Sequence, residues 1–403
     1  RNRGRFIMSD QILIKGAVVF DSANGESIRR DLAVKAGQVV DASSLVNPQI
    51  VDALGLTAMF GLWDCHAHPG GLMYDLSAAG YFEGPAEWAV RAGSNLLEAA
   101  TYGVTGIRAV ADASRVDIAW AKALAEGKYL GPRLLCAGAG IRTTGGHGTA
   151  FPRRPTDAVW EIPADGADEM RKVARSLVEQ GVDWLKLMIT GGLYSEHETV
   201  EDSQFTDDEL VAVMEVARNR GIPVAAHCGG ARIAERFSDL GGRSIEHGYA
   251  LDEKTAATLA KNGTWLVPTI SVTHDVEMME NDEWPIHAKE KAVVAAKKHA
   301  EGLMACIAAG VKIATGADLN PIGPKTHREI TLLESAGMSR LQVLHAATAS
   351  ARELNGLGGQ TTPTPGTAAD LIFVEGDPMT NMSCIERPKG VMTFGRFVIP
   401  IGG

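Results

Sequence analysis

Between residues 57 and 315 the chain alternates short apolar runs with longer stretches of helical periodicity, and this alternation constrains its fold more than any other feature. The apolar runs are Thr57–Trp63, Val104–Val110, Leu134–Ala137, Trp184–Ile189, Ile222–Ala226, Ser244–Ile245, Trp265–Thr269 and Val311–Thr315. Their length and β-branched or aromatic content suit buried strands, whereas residues 167–180 and 207–220 carry helical spacing. The second helix has a start and a stop in the sequence. Thr206 with Glu209 makes a capping pair, and Gly221 before Pro223 ends the helix. Eight strands separated by helices predict an α/β fold, a closed (β/α)8 TIM barrel. A doubly wound open sheet has the same periodicity, so spacing alone leaves both open.

The two ends of the chain read differently. Ile12–Ile14, Ala17–Phe20, Leu32–Val34 and Val39–Val40 are short strands broken by Asn24-Gly25 and Ala36-Gly37 turns. Leu371–Val374, Gly390–Phe394 and Phe397–Ile399 repeat the pattern at the far end, beyond a Gly/Thr/Pro linker at 356–367. The expected organisation is a small β-sandwich domain assembled from residues 8–56 and 362–403, around a catalytic barrel of 57–361. Two separate terminal appendages are the alternative. Met8 reads as a natural start, with Arg1–Ile7 a remnant ahead of it.

Composition narrows the function. With 39 basic and 49 acidic residues the net charge is −10, which disfavours sequence-independent nucleic-acid binding. No apolar run approaches the roughly 18 residues of a membrane span. Five scattered cysteines make no C-x-x-C pair, and a reduced, cytoplasmic setting is expected. Glycine makes up 45 of 403 residues, and many of these glycines fall at or just past the expected strand ends. A small-molecule substrate is the expected partner; whether the chain forms a homo-oligomer stays open.

Those strand ends also carry potential metal ligands. The first run leads into Asp64-Cys65-His66-Ala67-His68, and side chains two apart on an extended segment share a face. His227 closes the fifth strand, His247 follows the sixth, and Asp318 lies just beyond the eighth. Single histidines are usually structural, but ligands and catalytic groups of a barrel gather at its C-terminal rim. Four strand ends that each deliver a histidine or aspartate form a pattern.

Lys186 is an oddity inside the otherwise apolar run Trp184-Leu185-Lys186-Leu187-Met188. Burial there disfavours the ammonium and favours the free amine. Such an amine can react with carbon dioxide to give a carbamate, whose two oxygens suit bridging two divalent ions. The alternative is a lysine that snorkels to solvent from the strand end.

Together, His66, His68, Lys186, His227, His247 and Asp318 resemble the ligand set of the amidohydrolase superfamily. The resemblance extends over nearly the whole chain, including Gly366–Leu371 and Gly376-Asp377-Pro378 near the end. Lys186–Gly192 and Gly145-Gly146-His147-Gly148 are similar to the imidazolonepropionase-like branch of Xaa-Pro and Xaa-Arg dipeptidases. That branch also holds ochratoxin-type amidases and hydrolases of ureas and carbamates. The resemblance implies one metal on His66, His68 and Asp318, and a second on His227 and His247. Carboxylated Lys186 and a hydroxide would bridge them. The implied cofactors are two divalent ions, zinc by default from the N/O donor set, and carbon dioxide for Lys186. Asp318 would accept the proton and pass it to the leaving amine, with Lys186 and His247 completing the catalytic group.

One departure bears on substrate. Branch members often read His-Ala-His-Gly after the fifth strand, where this chain has His227-Cys228-Gly229-Gly230. The loop at 141–154 carries Arg142, His147, Arg153 and Arg154 without an acid, a local basic patch. Arg142 and His147 are candidates for a substrate carboxylate or carbonyl, with Tyr194 and His274 as further wall residues. The remaining histidines, among them His197, His287 and His299, read as surface or core. No P-loop, H-E-x-x-H or G-x-S-x-G motif occurs, and Gly138-Ala139-Gly140 lacks the rest of a dinucleotide fingerprint. Three functions follow: hydrolysis of amide bonds in small dipeptides or N-acyl amino acids, hydrolysis of carbamates, ureas or cyclic amides (or deamination), and a metal-free scaffold. The intact ligand set disfavours the last.

Overall fold

The protein is described by a computed structural model over residues 11–71, 83–149, 160–282 and 284–402. Arg1–Ile7, Met8, Arg153 and Arg154 lie outside the described residues. The first strands are β1 (Gln11–Lys15), β2 (Val18–Phe20), β3 (Ser27–Arg29), β4 (Leu32–Lys35), β5 (Gln38–Val40), β6 (Gln49–Asp52) and β7 (Leu56–Phe60). The middle holds β8 (Leu62–Ala67), β9 (Val104–Ala109), β10 (Arg133–Leu135), β11 (Gly140–Arg142), β12 (Glu161–Pro163) and β13 (Leu185–Met188). It continues with β14 (Val224–Gly230), β15 (Ser244–Ala250) and β16 (Trp265–Val267). After a helical stretch come β17 (Leu371–Glu375), β18 (Gly390–Thr393) and β19 (Arg396–Ile399).

The ends of the chain meet in one sheet of order β19-β18-β17-β7-β2-β3, where β17 pairs antiparallel with β7. A second sheet, β5-β4-β1-β6, shares an apolar core with it, made by Ile12, Ile14, Leu32, Val34, Phe60, Leu371, Phe373 and Phe397. Each such side chain removed from water is worth roughly 1.5–3 kcal/mol.

The expected run Thr57–Trp63 is divided. Leu56–Phe60 belongs to the terminal sheet, and Leu62–Ala67 opens the parallel series. The break falls at Gly61, whose N–H goes to Asp370 O, while Leu62 N donates to Gly103 O. A Cβ at Gly61 would stand 2.1 Å from Thr105 Cγ2, so only glycine lets the chain change sheets against β9.

Parallel strands form two sheets, β10-β9-β8 and β12-β11-β13-β14-β15-β16, with helices between strands. Strand β12, which the sequence pattern did not mark, pairs with β11. The flanks of the two sheets are joined by backbone bonds: Trp184 N donates to Cys136 O at 3.1 Å and Cys65 N to Thr315 O at 2.8 Å. The run at 311–315 touches β16 through a parallel bridge between Leu266 and Ile313. Helix Asp207–Arg220 has the expected bounds. Thr206 and Glu209 form its capping box, and Gly221 closes it at φ +67°. Among the described residues no helix is long and apolar enough to cross a membrane.

Candidate metal centre

The C-terminal ends of the parallel strands bring the six residues to one cavity. His66 lies on β8, Lys186 on β13, His227 on β14 and His247 on β15; His68 follows β8, and Asp318 lies beyond the bridge residue Ile313. All six line a cavity of about 630 Å³, together with His147, Tyr194, Tyr249 and Trp284 among others. Lys186 and the four histidines are buried. Three rim residues take left-handed backbone that β-sheet side chains rarely adopt: His247 (φ +69°), Thr269 (φ +46°) and Asp318 (φ +59°). Strain of this kind, of order 1–3 kcal/mol each, collects at functional sites.

Asp318 is the centre of the cluster. Its Oδ1 lies 3.1 Å from His68 Nε2 and 3.5 Å from His66 Nε2. Donor atoms of His66, His247 and Asp318 all fall within 4.8 Å of one another, a spacing that can hold an ion. That trio cuts across the two ligand sets implied by the resemblance, since it joins His247 to the first set. The His227 and His247 rings are 4.5 Å apart, edge to face, so the second set is contiguous with the first.

Each histidine has one ring nitrogen hydrogen-bonded to a neighbouring oxygen. His66 Nδ1 donates to Glu246 Oε2 at 2.8 Å, and His68 Nδ1 to Ala111 O at 2.5 Å. His227 Nε2 donates to Gly191 O at 3.0 Å, and His247 Nδ1 is hydrogen-bonded with Thr269 Oγ1 at 2.7 Å. Fixed tautomers of this kind orient metal ligands. Burial drives His66 down to about 4 and holds His227 and His247 well below their ordinary value, with neighbouring positive groups adding to it. Those three imidazoles are therefore neutral, the form that binds a cation. Burial pushes Asp318 upward, but His66, His68 and Lys186 outweigh it and keep the carboxylate ionised. This donor set fits divalent metal.

Lys186 points into the same cavity from a strand that is otherwise buried. Burial lowers it to about 8, against the pull of Glu246 and Asp318. About a tenth of the side chain is then free amine at pH 7, the form that carbamate formation requires.

Beneath the cluster lies a buried ionic network. Arg108 on β9 donates through Nη2 to both oxygens of Glu246 at 2.8 Å, and through Nε to Cys65 O at 2.6 Å. Ser244 Oγ donates to Glu246 Oε1 at 2.5 Å and accepts from Arg108 Nη1. Arg108 and Glu246 are both fully buried, and the guanidinium lies over Trp184 at 4.4 Å. Burial opposes the Glu246 charge, yet Arg108, His66 and Lys186 overcome it and set the carboxyl at about 2. Asp64 accepts from His66 N and Thr326 Oγ1, and so ties the first histidine loop to the helix after Asp318.

The far wall is made by loops. His147 stacks on His227 at 4.0 Å and donates through Nδ1 to Glu198. Glu198 also accepts from Gly192 N and Gln204 Nε2. Tyr194 lines the cavity and meets Trp284 edge to face. His287 Nε2 donates to Tyr194 O at 2.8 Å, and Lys291 reaches Ser195 O and Glu198 O. His197 and His287, read from sequence as surface or core, line the cavity. Arg142 and His274 are not among its lining residues. Arg142 Nη1 donates to Thr143 O at 3.0 Å, and His274 Nδ1 is bonded with Thr273 Oγ1 at 2.8 Å.

Gly229 stands where a side chain has no room. A Cβ would lie 2.2 Å from Val200 O and 3.0 Å from Tyr249 Cδ2. Tyr249, also missed in the sequence, stacks on His247 with ring centroids 5.0 Å apart and planes 4° apart. Burial and the nearby Asp318 charge push its phenol well above the ordinary value, so it remains a proton donor.

Comparison with known proteins identifies the family. The amidohydrolase family profile matches residues 57–398. Ochratoxinase of Aspergillus niger is 30% identical over 356 residues, which covers 83% of this chain and 73% of that protein. A crystal structure of a Xaa-Pro dipeptidase with bound methionine superposes with a TM-score of 0.85 at 26% identity, over 96% of this chain and 99% of the other. The crystal structure of the A. niger ochratoxinase gives a TM-score of 0.84 at 26% identity, over 98% and 96% of the two chains. These neighbours carry an α/β fold of the TIM-barrel type.

Proposed function

The chain belongs to the amidohydrolase family, and from that premise we propose that it hydrolyses amide bonds in small dipeptides or N-acyl amino acids at a two-metal centre. One observation carries the reading: histidines and Lys186 from separate strands converge with Asp318 on one cavity. His66, His68 and Asp318 are read as holding one ion, and His227 with His247 the second, with carboxylated Lys186 between them. Two divalent ions, zinc by default, would activate a water near neutral pH and polarise the scissile carbonyl. Asp318 takes the water's proton and returns it to the leaving nitrogen. His147, beside His227, faces the acyl group, and Tyr194 packs against the substrate side chain. The similarity to a Xaa-Pro dipeptidase and to an ochratoxinase supports cleavage of a C–N bond.

The bonds that join the flanks of the two parallel sheets support a closed eight-stranded barrel, and the shared terminal core supports a β-sandwich built from both ends. Five unpaired cysteines fit a cytoplasmic setting. A second reading, hydrolysis of carbamates, ureas or cyclic amides or deamination, is favoured by Gly229: a side chain there would meet Val200 O at 2.2 Å, so the histidine that the dipeptidase branch often carries has no place.

Metal analysis after zinc reconstitution tests the centre. Two zinc ions per wild-type chain are expected, falling to one or fewer in Lys186→Ala. Wild-type protein that retains no zinc overturns the reading. Turnover of L-Xaa-L-Pro, L-Xaa-L-Arg and N-acyl amino acids, compared with aryl carbamates and phenylureas, then separates the two substrate classes. Indifference to amidation of the substrate's free carboxylate counts against the dipeptidase reading.

A further inference from the structure

We propose that the Tyr249 hydroxyl is a substrate contact, donating a hydrogen bond to the acyl oxygen of the bond under attack. The inference rests on the reading of the cavity as a hydrolase site, and it assigns a residue that neither sequence spacing nor the ligand set marks. Tyr249 follows His247 by two residues on β15, and both line the cavity. Its ring lies flat on His247, meets His299 edge to face at 5.2 Å and stands 6.2 Å from His227. His299 is itself anchored, through Nε2 to His247 O at 3.0 Å. The ring is thus held from several sides.

The hydroxyl is not. Tyr249 is 3% exposed and lines the cavity, yet its hydroxyl has no hydrogen-bond partner among the described residues. A phenol hydroxyl on a cavity wall bonds an acceptor inside the cavity when the protein offers none. Here the available acceptor is whatever occupies the cavity. Gly229 fits the same account: a side chain there would collide with Val200 O and press on the Tyr249 ring. The strand β14 position is thus empty of side chain, and a donor from β15 stands next to it.

Tyr249→Phe removes one oxygen and keeps the stacked ring. Zinc-loaded wild type and variant are compared for metal content, steady-state kinetics, and binding of a phosphonamidate whose tetrahedral P–O⁻ replaces the scissile carbonyl. Loss of one such donor typically costs 10²–10³-fold in turnover. We expect kcat to fall about 100-fold with KM within about threefold, zinc unchanged, and phosphonamidate affinity down at least tenfold. Kinetics and phosphonamidate affinity within twofold of wild type overturn the inference. So does a parallel loss of zinc, which makes the hydroxyl a support of His247 instead. If wild type binds zinc but cleaves no amide, the functional reading fails while the phosphonamidate titration still decides Tyr249. A wild type that binds no phosphonamidate overturns it.

Discussion

The two sides of the cavity are built on different principles. On the side of His66 and His247, the ligands are rooted in strands and backed by buried partners, Glu246 with Arg108 behind His66 and Thr269 behind His247. On the side of His147 and Tyr194, the walls are loops tied together by Glu198, His287 and Lys291. A buried ionic lattice fixes donors to within tenths of an ångström, as metal coordination demands. Loops on a rigid scaffold can vary without disturbing that lattice, which is where specificity is usually set. The contrast implies that damage on the first side is structural and metal-linked, whereas damage on the second is confined to substrate.

The largest effect should come from Glu246→Gln. It keeps the shape of the side chain but leaves Arg108 as an uncompensated buried charge, a change that typically costs about 3–5 kcal/mol. Denaturant unfolding of the metal-free protein should register that loss, and zinc content should fall because His66 is no longer oriented. A variant as stable as wild type, with full zinc, would show that the strand side is not held by this network.

Gly229→Ala tests the boundary between the two sides. The added methyl meets Val200 O at 2.2 Å, so β14 or the loop at 199–201 must move. Overpacking of this type costs about 1–3 kcal/mol. Destabilisation with normal zinc content would place the strain on the loop side. Wild-type stability would mean that the loop gives way freely, and that the bare strand end is not enforced by packing.

How much of this was legible in the chain follows the same division. The strand ends could be read because apolar runs of strand length end in histidine or aspartate, and Lys186 stood out as a charge inside such a run. The argument that singled out Lys186 applies equally to Arg108 within Val104–Ala109 and to Glu246 beside His247, and would have found both. The change of sheet at Gly61 was hidden because the run Thr57–Trp63 is continuous in hydrophobicity and only its partners differ. The loop wall was not legible. His197 and His287 come from segments 90 residues apart in sequence, and no local pattern says that a helix beginning at Ile286 will pin the loop after β13. Arg142 had the right charge at the right strand end, but it is not among the residues lining the cavity.

On the loop side, Glu198→Gln should be milder than either change above. Glu198 accepts from His147, Gly192 N and Gln204, and an amide keeps one accepting oxygen while losing the charge. A rise of roughly tenfold in KM, equivalent to about 1.4 kcal/mol, is expected with zinc and stability near wild type. Zinc loss comparable to that of Glu246→Gln would erase the distinction between the sides.

The smallest effect is expected from Arg142→Met, and it asks how far the loop side extends. The methionine keeps an unbranched apolar stem and removes the guanidinium, whose Nη1 donates to Thr143 O. Because Arg142 is not among the residues lining the cavity, KM for a carboxylate-bearing amide should stay within about twofold, while stability should fall by roughly 1 kcal/mol or less, because the bond to Thr143 O and the attraction to Asp165 are lost. A tenfold rise in KM restricted to substrates with a free carboxylate would instead mean that the loop swings Arg142 onto the bound substrate. The recognition side would then be completed by ligand binding, whereas the strand side is already assembled without it.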